Sequence, residues 1–275
     1  MECRLNGALY IVATPIGNLE DMTFRAVRIL KEADLIAAED TRHSRKLLSH
    51  YGISTPLTSY YDHNQSLKGE RILSVLREGK TVALITDAGT PCISDPGYQL
   101  VRDTLAEGIK VVPVPGVSAV IAALSSAGLP TDSFIFSGFP PNKEVKRRVF
   151  LATLATEERT VVLYEAPHRL VATLSDIAAI MGERKIVVAR ELTKIHEEFI
   201  IGKSLEVRET IKDGRERGEA VILISPSDKI SGISSSSTVE EQLRAALDRG
   251  YTVKEAAALV AAATGQPRRE IYAKA

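Results

Sequence analysis

The 275-residue sequence lacks the marks of several large protein classes. It has two cysteines, Cys3 and Cys92, far apart and outside any CxxC, so neither a zinc framework nor a disulfide scaffold is indicated. Its longest apolar-rich stretch, Val117 to Leu124, falls well short of the ~20 residues that cross a bilayer, so no membrane association is expected. The N-terminal MECRLNGALYIV shows no long apolar core followed by a small-residue cleavage site, and a cytoplasmic enzyme is the expectation. Charge of one sign is missing too. The 35 Lys and Arg balance 35 Asp and Glu, so bulk electrostatics do not announce a nucleic acid.

Motif absences narrow the chemistry. No two of the 18 glycines are separated by a single residue, which removes the GxGxxG dinucleotide fingerprint and the GxGxG loop of Rossmann-type methyltransferases. GxxxxGK[ST], HExxH and GxSxG are absent, which removes the P-loop nucleotidase, zinc-hydrolase and serine-hydrolase readings. The histidines (His43, His50, His63, His168 and His196) have no trustworthy ligand spacing, so no metal site is expected.

What is present is an ordinary globular composition, 44% hydrophobic and 25% charged, with length enough for two domains. Apolar runs at Ala8–Ala13, Leu35–Ala38, Leu57–Ser59, Thr81–Thr86 and Lys110–Val114 alternate with amphipathic segments. One helix is expected after Asp95-Pro96, with aspartate as N-cap, proline at the first helical position and Gly108 as stop. Such alternation implies a largely parallel sheet covered on both faces. Further runs at Phe134–Ser137, Thr160–Tyr164, Lys185–Ala189, Glu198–Gly202 and Glu219–Ile224 have short connections late in the series, which predicts a mixed second sheet. A serine-rich linker, PSDKISGISSSS, then leads to two Thr-x-x-Glu capping boxes at Thr238 and Thr252 and a basic tail, a helix-turn-helix-like pattern. It serves equally as a structural or dimerisation cap. The expected organisation is α/β: residues 1–116, residues 117–228, and a helical appendage at 238–275.

Turn-forming motifs gather at the carboxyl ends of the first-half strands, where open α/β sheets bind ligands. They are TPIGN after the first strand, DAGTP and SDPG after Thr81–Thr86, and PGVSA after Lys110–Val114. Together with LYIVATPIGNLEDMTFRAVRIL, AEDTRHSRKLL, DAGTPCISDPG, YEAPHR and GEAVILI, in this order, the chain resembles the tetrapyrrole-methylase-like superfamily over essentially its whole length. Within it the chain is similar to the branch of cytidine 2′-O-methyltransferases of small-subunit ribosomal RNA. The resemblance implies two α/β domains, S-adenosylmethionine (SAM) in a cleft between them, a homodimer, and methyl transfer to a ribose 2′-hydroxyl in the decoding region. Carried over by motif, it points to Pro15, Thr86, Asp87, Ala88, Gly89, Ser118, Ala119, Glu165 and Ala220 as cofactor contacts. The TPIGN loop departs from the superfamily's glycine-proline-glycine form.

Methyl transfer from a sulfonium is an in-line displacement whose main requirement is orientation. A ribose hydroxyl is a weak nucleophile, so carboxylates at strand ends (Glu39, Asp40, Glu165 and Glu191) are candidate bases. Asp40 with Arg42 is the choice, the aspartate accepting the hydroxyl proton and the arginine anchoring a phosphate; an N-cap role for Asp40 is the competing one. RNA contacts are expected from Arg42–Lys46, from a stacking platform at Tyr60 and Tyr61 beside His63 and Asn64, from a mobile basic flap at Asn142–Arg148, and from His168 and Arg169. Zero net charge favours an assembled small subunit over naked RNA. Three alternatives stay open: the same cofactor with a non-RNA acceptor, a non-catalytic assembly factor, and an enzyme acting on another nucleotide.

Overall fold

The computed structural model describes residues 7–61, 65–212, 218–227, 238–248 and 251–274. It divides into two compact units, residues 1–122 with 192–195, and residues 123–191 with 196–275. The division falls inside the helix that follows PGVSA, and the C-terminal helices belong with the second unit.

In the first unit, β1 (Ala8–Val12), β2 (Leu35–Ala38), β3 (Leu57–Ser59), β4 (Val82–Ile85) and β5 (Lys110–Val114) form a sheet of order β3-β2-β4-β1-β5. Every pairing is parallel. Alternate strand residues enter opposite cores: Tyr10, Val12, Ala38 and Ile85 on one side, Leu9, Ala37, Val82 and Leu84 on the other. Both faces are therefore covered, as continuous apolar strands require. The connecting helices include α1 (Phe24–Glu32), α2 (Thr41–His50), α3 (Gln65–Arg77), α4 (Tyr98–Ala106) and α5 (Ala119–Ser126). Thr23 caps α1 by accepting from the Ala26 amide, and Asp40 caps α2 by accepting from the Arg42 amide. Because all strands run one way, the loops after β1, β2, β4 and β5 share one sheet edge.

One expected cap is displaced. α4 starts at Tyr98 with Gly97 as its N-cap, at φ 147°, and no side chain caps it. Asp95-Pro96 lies in the turn ahead. A β-carbon on Gly97 would lie 2.5 Å from Cys92 Sγ and 2.9 Å from a Leu84 methyl carbon, so the loop reaches the helix only through glycine.

In the second unit, β6 (Phe134–Phe136), β7 (Thr160–Glu165), β8 (Lys185–Arg190), β9 (Glu198–Lys203) and β10 (Ala220–Ile224) pair in the order β6-β7-β10-β8-β9. β6 and β7 are parallel and the other pairs antiparallel, the expected mixed sheet. Val161, Leu163, Ile186, Val188, Ile222 and Ile224 enter one core with residues of α6 (Glu144–Thr153), α7 (Leu170–Met181) and α8 (Ser204–Lys212).

The stretch 142–148 expected as a flap leads into α6, with Arg147 buried and its Nη2 2.7 Å from Asp176. Burial raises the Asp176 pKa against the opposing pull of Arg147. An interior pair of this kind needs both members, because removing one strands a buried charge.

The C-terminal helices α9 (Val239–Asp248), α10 (Val253–Thr264) and α11 (Arg268–Tyr272) close on Leu243, Ala256, Ala257, Val260 and Ile271. Thr252 and Glu255 complete a capping box, and Gly265 ends α10 in the left-handed region. The Arg148 guanidinium lies 4.6 Å from the Tyr251 ring centre, a cation–π contact between this piece and α6.

Leu163→Ala, at a wholly buried strand position, is expected to cost about 2–5 kcal/mol. Leu105→Ala, on the exposed side of α4, is expected to stay within about 0.5 kcal/mol. Urea unfolding of the two variants checks the contrast.

Candidate functional site

At the shared edge of the first sheet, the chain leaving β1 and the chain leaving β4 are tied together. The Thr14 amide donates to the Gly89 carbonyl at 2.8 Å, and the Gly89 amide donates to the Thr14 carbonyl at 3.0 Å. The Thr14 hydroxyl, itself buried, donates to the Thr86 carbonyl at 3.1 Å. Gly89 stands at φ 87°, a conformation that disfavours any side chain. The third loop joins through Thr90, whose hydroxyl donates to the Val117 carbonyl at 3.0 Å. A β-carbon on Gly116 would lie 2.8 Å from that of Ala13, so the chain after β5 sits against Ala13 at glycine distance. Pro15, Thr86, Ala88, Gly89, Ser118 and Ala119 thus sit on or beside one cluster of three loops. Pro15, Thr86 and Gly89 are buried, Ser118 and Ala119 half-buried, and Ala88 exposed.

Carboxylates flank these loops at the ends of β2 and β4. Glu39, which had no assigned partner in the sequence, accepts from the Thr86 hydroxyl at 2.7 Å and from the Asp87 amide at 3.4 Å. The Asp40 amide donates to Asp87 Oδ1 at 3.2 Å. Burial, followed by the neighbouring charges of Glu39 and Asp40, pushes the Asp87 carboxyl above its ordinary range, while the Asp40 amide pulls it down.

Asp40 is held in the opposite direction. It accepts from the Arg42 amide at 2.8 Å and from Arg42 Nη2 at 3.0 Å. Those bonds lower its pKa to about 2. The Arg42 side chain remains 87% exposed, so the donors that Asp40 does not take stay open to water. The N-cap role and the ion pair with Arg42 are therefore both realised in Asp40.

In the second unit, Glu165 ends β7 with no exposed side-chain surface. It accepts from the Ala166 amide at 2.8 Å and from the Thr173 hydroxyl at 2.5 Å, and Arg169 Nε lies 3.2 Å away. Arg169 also donates to Asn142 Oδ1 and the Pro140 carbonyl. Its guanidinium is thereby spent on fastening the 140–142 turn to β7, which argues against the expected RNA wall at this residue. The Glu165 carboxylate faces inward. Ala220 opens β10, buried in register between Glu165 and Arg190. Arg190 lies 3.7 Å from Glu198 across β9.

The expected aromatic platform is only half available. Tyr60 packs in the core at 1% exposure while Tyr61 is 42% exposed; His63 and Asn64 lie outside the described residues. Among the described residues no cluster of ligating side chains could hold a metal ion, and no helix is long and apolar enough to cross a membrane.

This three-loop edge on a parallel sheet, followed by a mixed sheet, defines a class. The profile of the tetrapyrrole (corrin/porphyrin) methylases matches residues 8–208, and a profile described as the RsmI C-terminal HTH domain matches residues 234–275. A solved uroporphyrin-III C-methyltransferase from Thermus thermophilus, in complex with S-adenyl homocysteine, superimposes with a TM-score of 0.56 at 21% identity. That match covers 80% of this chain and 97% of that one, and shows a shared fold. At closer range, a ribosomal RNA small subunit methyltransferase I of Synechocystis sp. is 48% identical over 97% of this chain and 96% of its own. The protein of that name from Pseudomonas aeruginosa is 47% identical over 98% and 96%. The chain belongs to the ribosomal RNA small subunit methyltransferase I family of tetrapyrrole methylases.

A proton titration of Asp40, followed by carbon NMR of its carboxyl, is expected to show a midpoint near 2 instead of the ordinary 3.8. The lowered value means that the Asp40–Arg42 interaction favours the folded state above the ordinary pKa and is lost as pH falls through 2. In Arg42→Ala the midpoint should return toward 3.8; no movement would remove the guanidinium as its cause.

Proposed function

We propose that the chain transfers the methyl group of SAM to the ribose 2′-hydroxyl of a cytidine in small-subunit ribosomal RNA. The observation that carries this reading is the near-full-length identity, 44–48%, to proteins named for that ribosomal substrate. The acceptor favoured is the assembled small subunit, since the balanced charge of 35 against 35 gives little sequence-independent grip on naked RNA. A cytoplasmic homodimer is the form proposed for the enzyme.

The donor set of the first-unit edge suits the cofactor's chemistry. Asp87 offers a half-buried carboxylate to a cationic or diol group. Ala88 offers backbone at the turn, Gly89, whose amide and carbonyl are both taken by Thr14, offers close approach where a side chain is disfavoured, and Ser118 adds a hydroxyl. We assign these groups, with Pro15, Thr86 and Ala119, to holding SAM, which supplies an electrophilic methyl group when bound. Glu39 holds the Thr86–Asp87 corner in shape. Glu165 contributes by fixing the segment around Ala166 and Arg169, and Ala220 by its small size in a buried row.

Asp40 and Arg42 form the acceptor wall. A carboxylate titrating near 2 is a weak base, so its chief contribution is orientation: it accepts a hydrogen bond from the attacking hydroxyl and, by holding Nε and Nη2 of Arg42, leaves that guanidinium's remaining donors for the adjoining phosphate. With the cofactor bound, the hydroxyl proton would pass to water as the oxygen displaces the sulfonium sulfur from the methyl carbon, the sulfur leaving as a neutral thioether.

Incubation with labelled SAM and unmethylated small subunits, with the product mapped by mass, should place the label on a ribose. Label on a base, on protein or on a tetrapyrrole would contradict the reading. Asp87→Ala is expected to abolish SAM binding. Asp40→Ala is expected to leave SAM binding intact and, by loosening the position of the hydroxyl, slow transfer by roughly a hundredfold; an unchanged rate would remove Asp40 from the mechanism.

A further inference from the structure

α2 carries a one-sided basic row that leads away from Asp40. Arg42, Lys46 and His50 recur at four-residue spacing, with Arg45 beside them, and all four are exposed, while Ser44 and Leu48 on the other side are buried. The helix contains no acidic residue. From Arg42 to His50 the row extends roughly 12 Å, the reach of a few nucleotides. It ends at a surface groove of about 650 Å³ between α1 and the end of α2. Met22, Val27 and Tyr51 floor the groove, Phe24 stands on it at 98% exposure, and Lys31 and His50 rim it.

At 98% exposure Phe24 leaves almost the whole of its ring free to be stacked upon. Tyr51 is held in place by its hydroxyl, which donates to the Leu19 carbonyl, and by edge contact with His50 at 4.9 Å between ring centres. Acidic neighbours are present: Glu32 is paired with Arg28 at 2.8 Å, and Glu20 and Asp21 act on the Tyr51 hydroxyl. Glu20 and Asp21 therefore lie at the Leu19 end of the groove, while Lys31 and the α2 residues Arg45 and Lys46 bring exposed positive charge to its other side. Rings beside the exposed cations Lys31, Arg45 and Lys46 suit a single strand, whose bases stack and whose phosphates pair.

We infer that α2 and the Phe24–Tyr51 groove bind the single-stranded RNA next to the target nucleotide, with one flanking base stacked on Phe24 and its phosphates on Lys46 and Lys31. The surface rests on the RNA-methylating reading above and extends it to the neighbouring nucleotides. It is continuous with Asp40 and Arg42 through one helix, which sets the separation between the reacting ribose and the stacked base.

The test compares wild type, Phe24→Ala and Phe24→Trp on small subunits. Phe24→Ala should raise KM for subunits about 5- to 100-fold, the range of one base–aromatic stack, with kcat and SAM affinity unchanged, and Phe24→Trp should restore it. Lys46→Ala and Lys31→Ala should each flatten the salt dependence of binding by about 0.7 in log–log slope. An unchanged KM in Phe24→Ala overturns the proposal. So does a loss of self-association in sedimentation at constant KM, which would give the groove to a second copy of the chain. Filter binding of the same subunits needs no turnover and separates this proposal from the methyl-transfer reading. Equal retention of subunits by wild type and Phe24→Ala overturns the surface whether or not methyl transfer occurs.

Discussion

The paired hydrogen bonds between Thr14 and Gly89 are the constraint on which the candidate site depends. β1 and β4 are neighbours in a parallel sheet, and the connections leaving them are free to diverge. The reciprocal bonds stop that divergence directly above the strand ends, and the Thr14 hydroxyl draws Thr86 into the same knot. Thr90 and Gly116 add the loop after β5. The result is a ledge of backbone with few side chains in the way, and its shape follows from glycine: at φ 87° a substituent on Gly89 would be strained whatever the space around it.

Electrostatics differentiate the carboxylates around that ledge. Glu39 is absorbed by the Thr86 hydroxyl. Asp40 is bound and kept ionised by Arg42. Asp87 is partly desolvated, beside two like charges, and its carboxyl is held above the ordinary range. Three acids at the ends of β2 and β4 thus take three characters: one braces the loop, one orients an arginine, and one stays partly desolvated with no cation paired to it among the described contacts. The second unit follows another logic, in which Glu165 with Arg169 and Asp176 with Arg147 lock turns and helices together from inside. The desolvation cost of burying both charges offsets much of their attraction, so each pair matters chiefly because losing one member strands the other.

Much of the fold was legible because the strands are buried on both faces and read as apolar runs. Leu35–Ala38 and Lys110–Val114 appear with the bounds their pattern predicts, and the Thr252–Glu255 box caps its helix as the spacing requires. The start of α4 was misread because Asp-Pro mimics a capped start, whereas the chain turns two residues later through a positive φ that only the fold reveals. The Asn142–Arg148 segment looked like solvated charge. Its key partner, Asp176, lies 29 positions from Arg147, and no local pattern announces such a pairing. The same limit hid Glu39 with Thr86, 47 positions apart. Phe24 was overlooked for the opposite reason: it fits a helical pattern as the first residue of α1, and its 98% exposure exists only in three dimensions.

The account stands or falls on whether the ledge above β1 and β4 receives the methyl donor. A crystal structure of the chain with S-adenosylhomocysteine tests this directly. The account predicts ligand density against the Ala88–Gly89 backbone, with the Asp87 carboxylate in hydrogen-bond range. Density elsewhere on the chain, with that ledge filled by its own side chains, would contradict it.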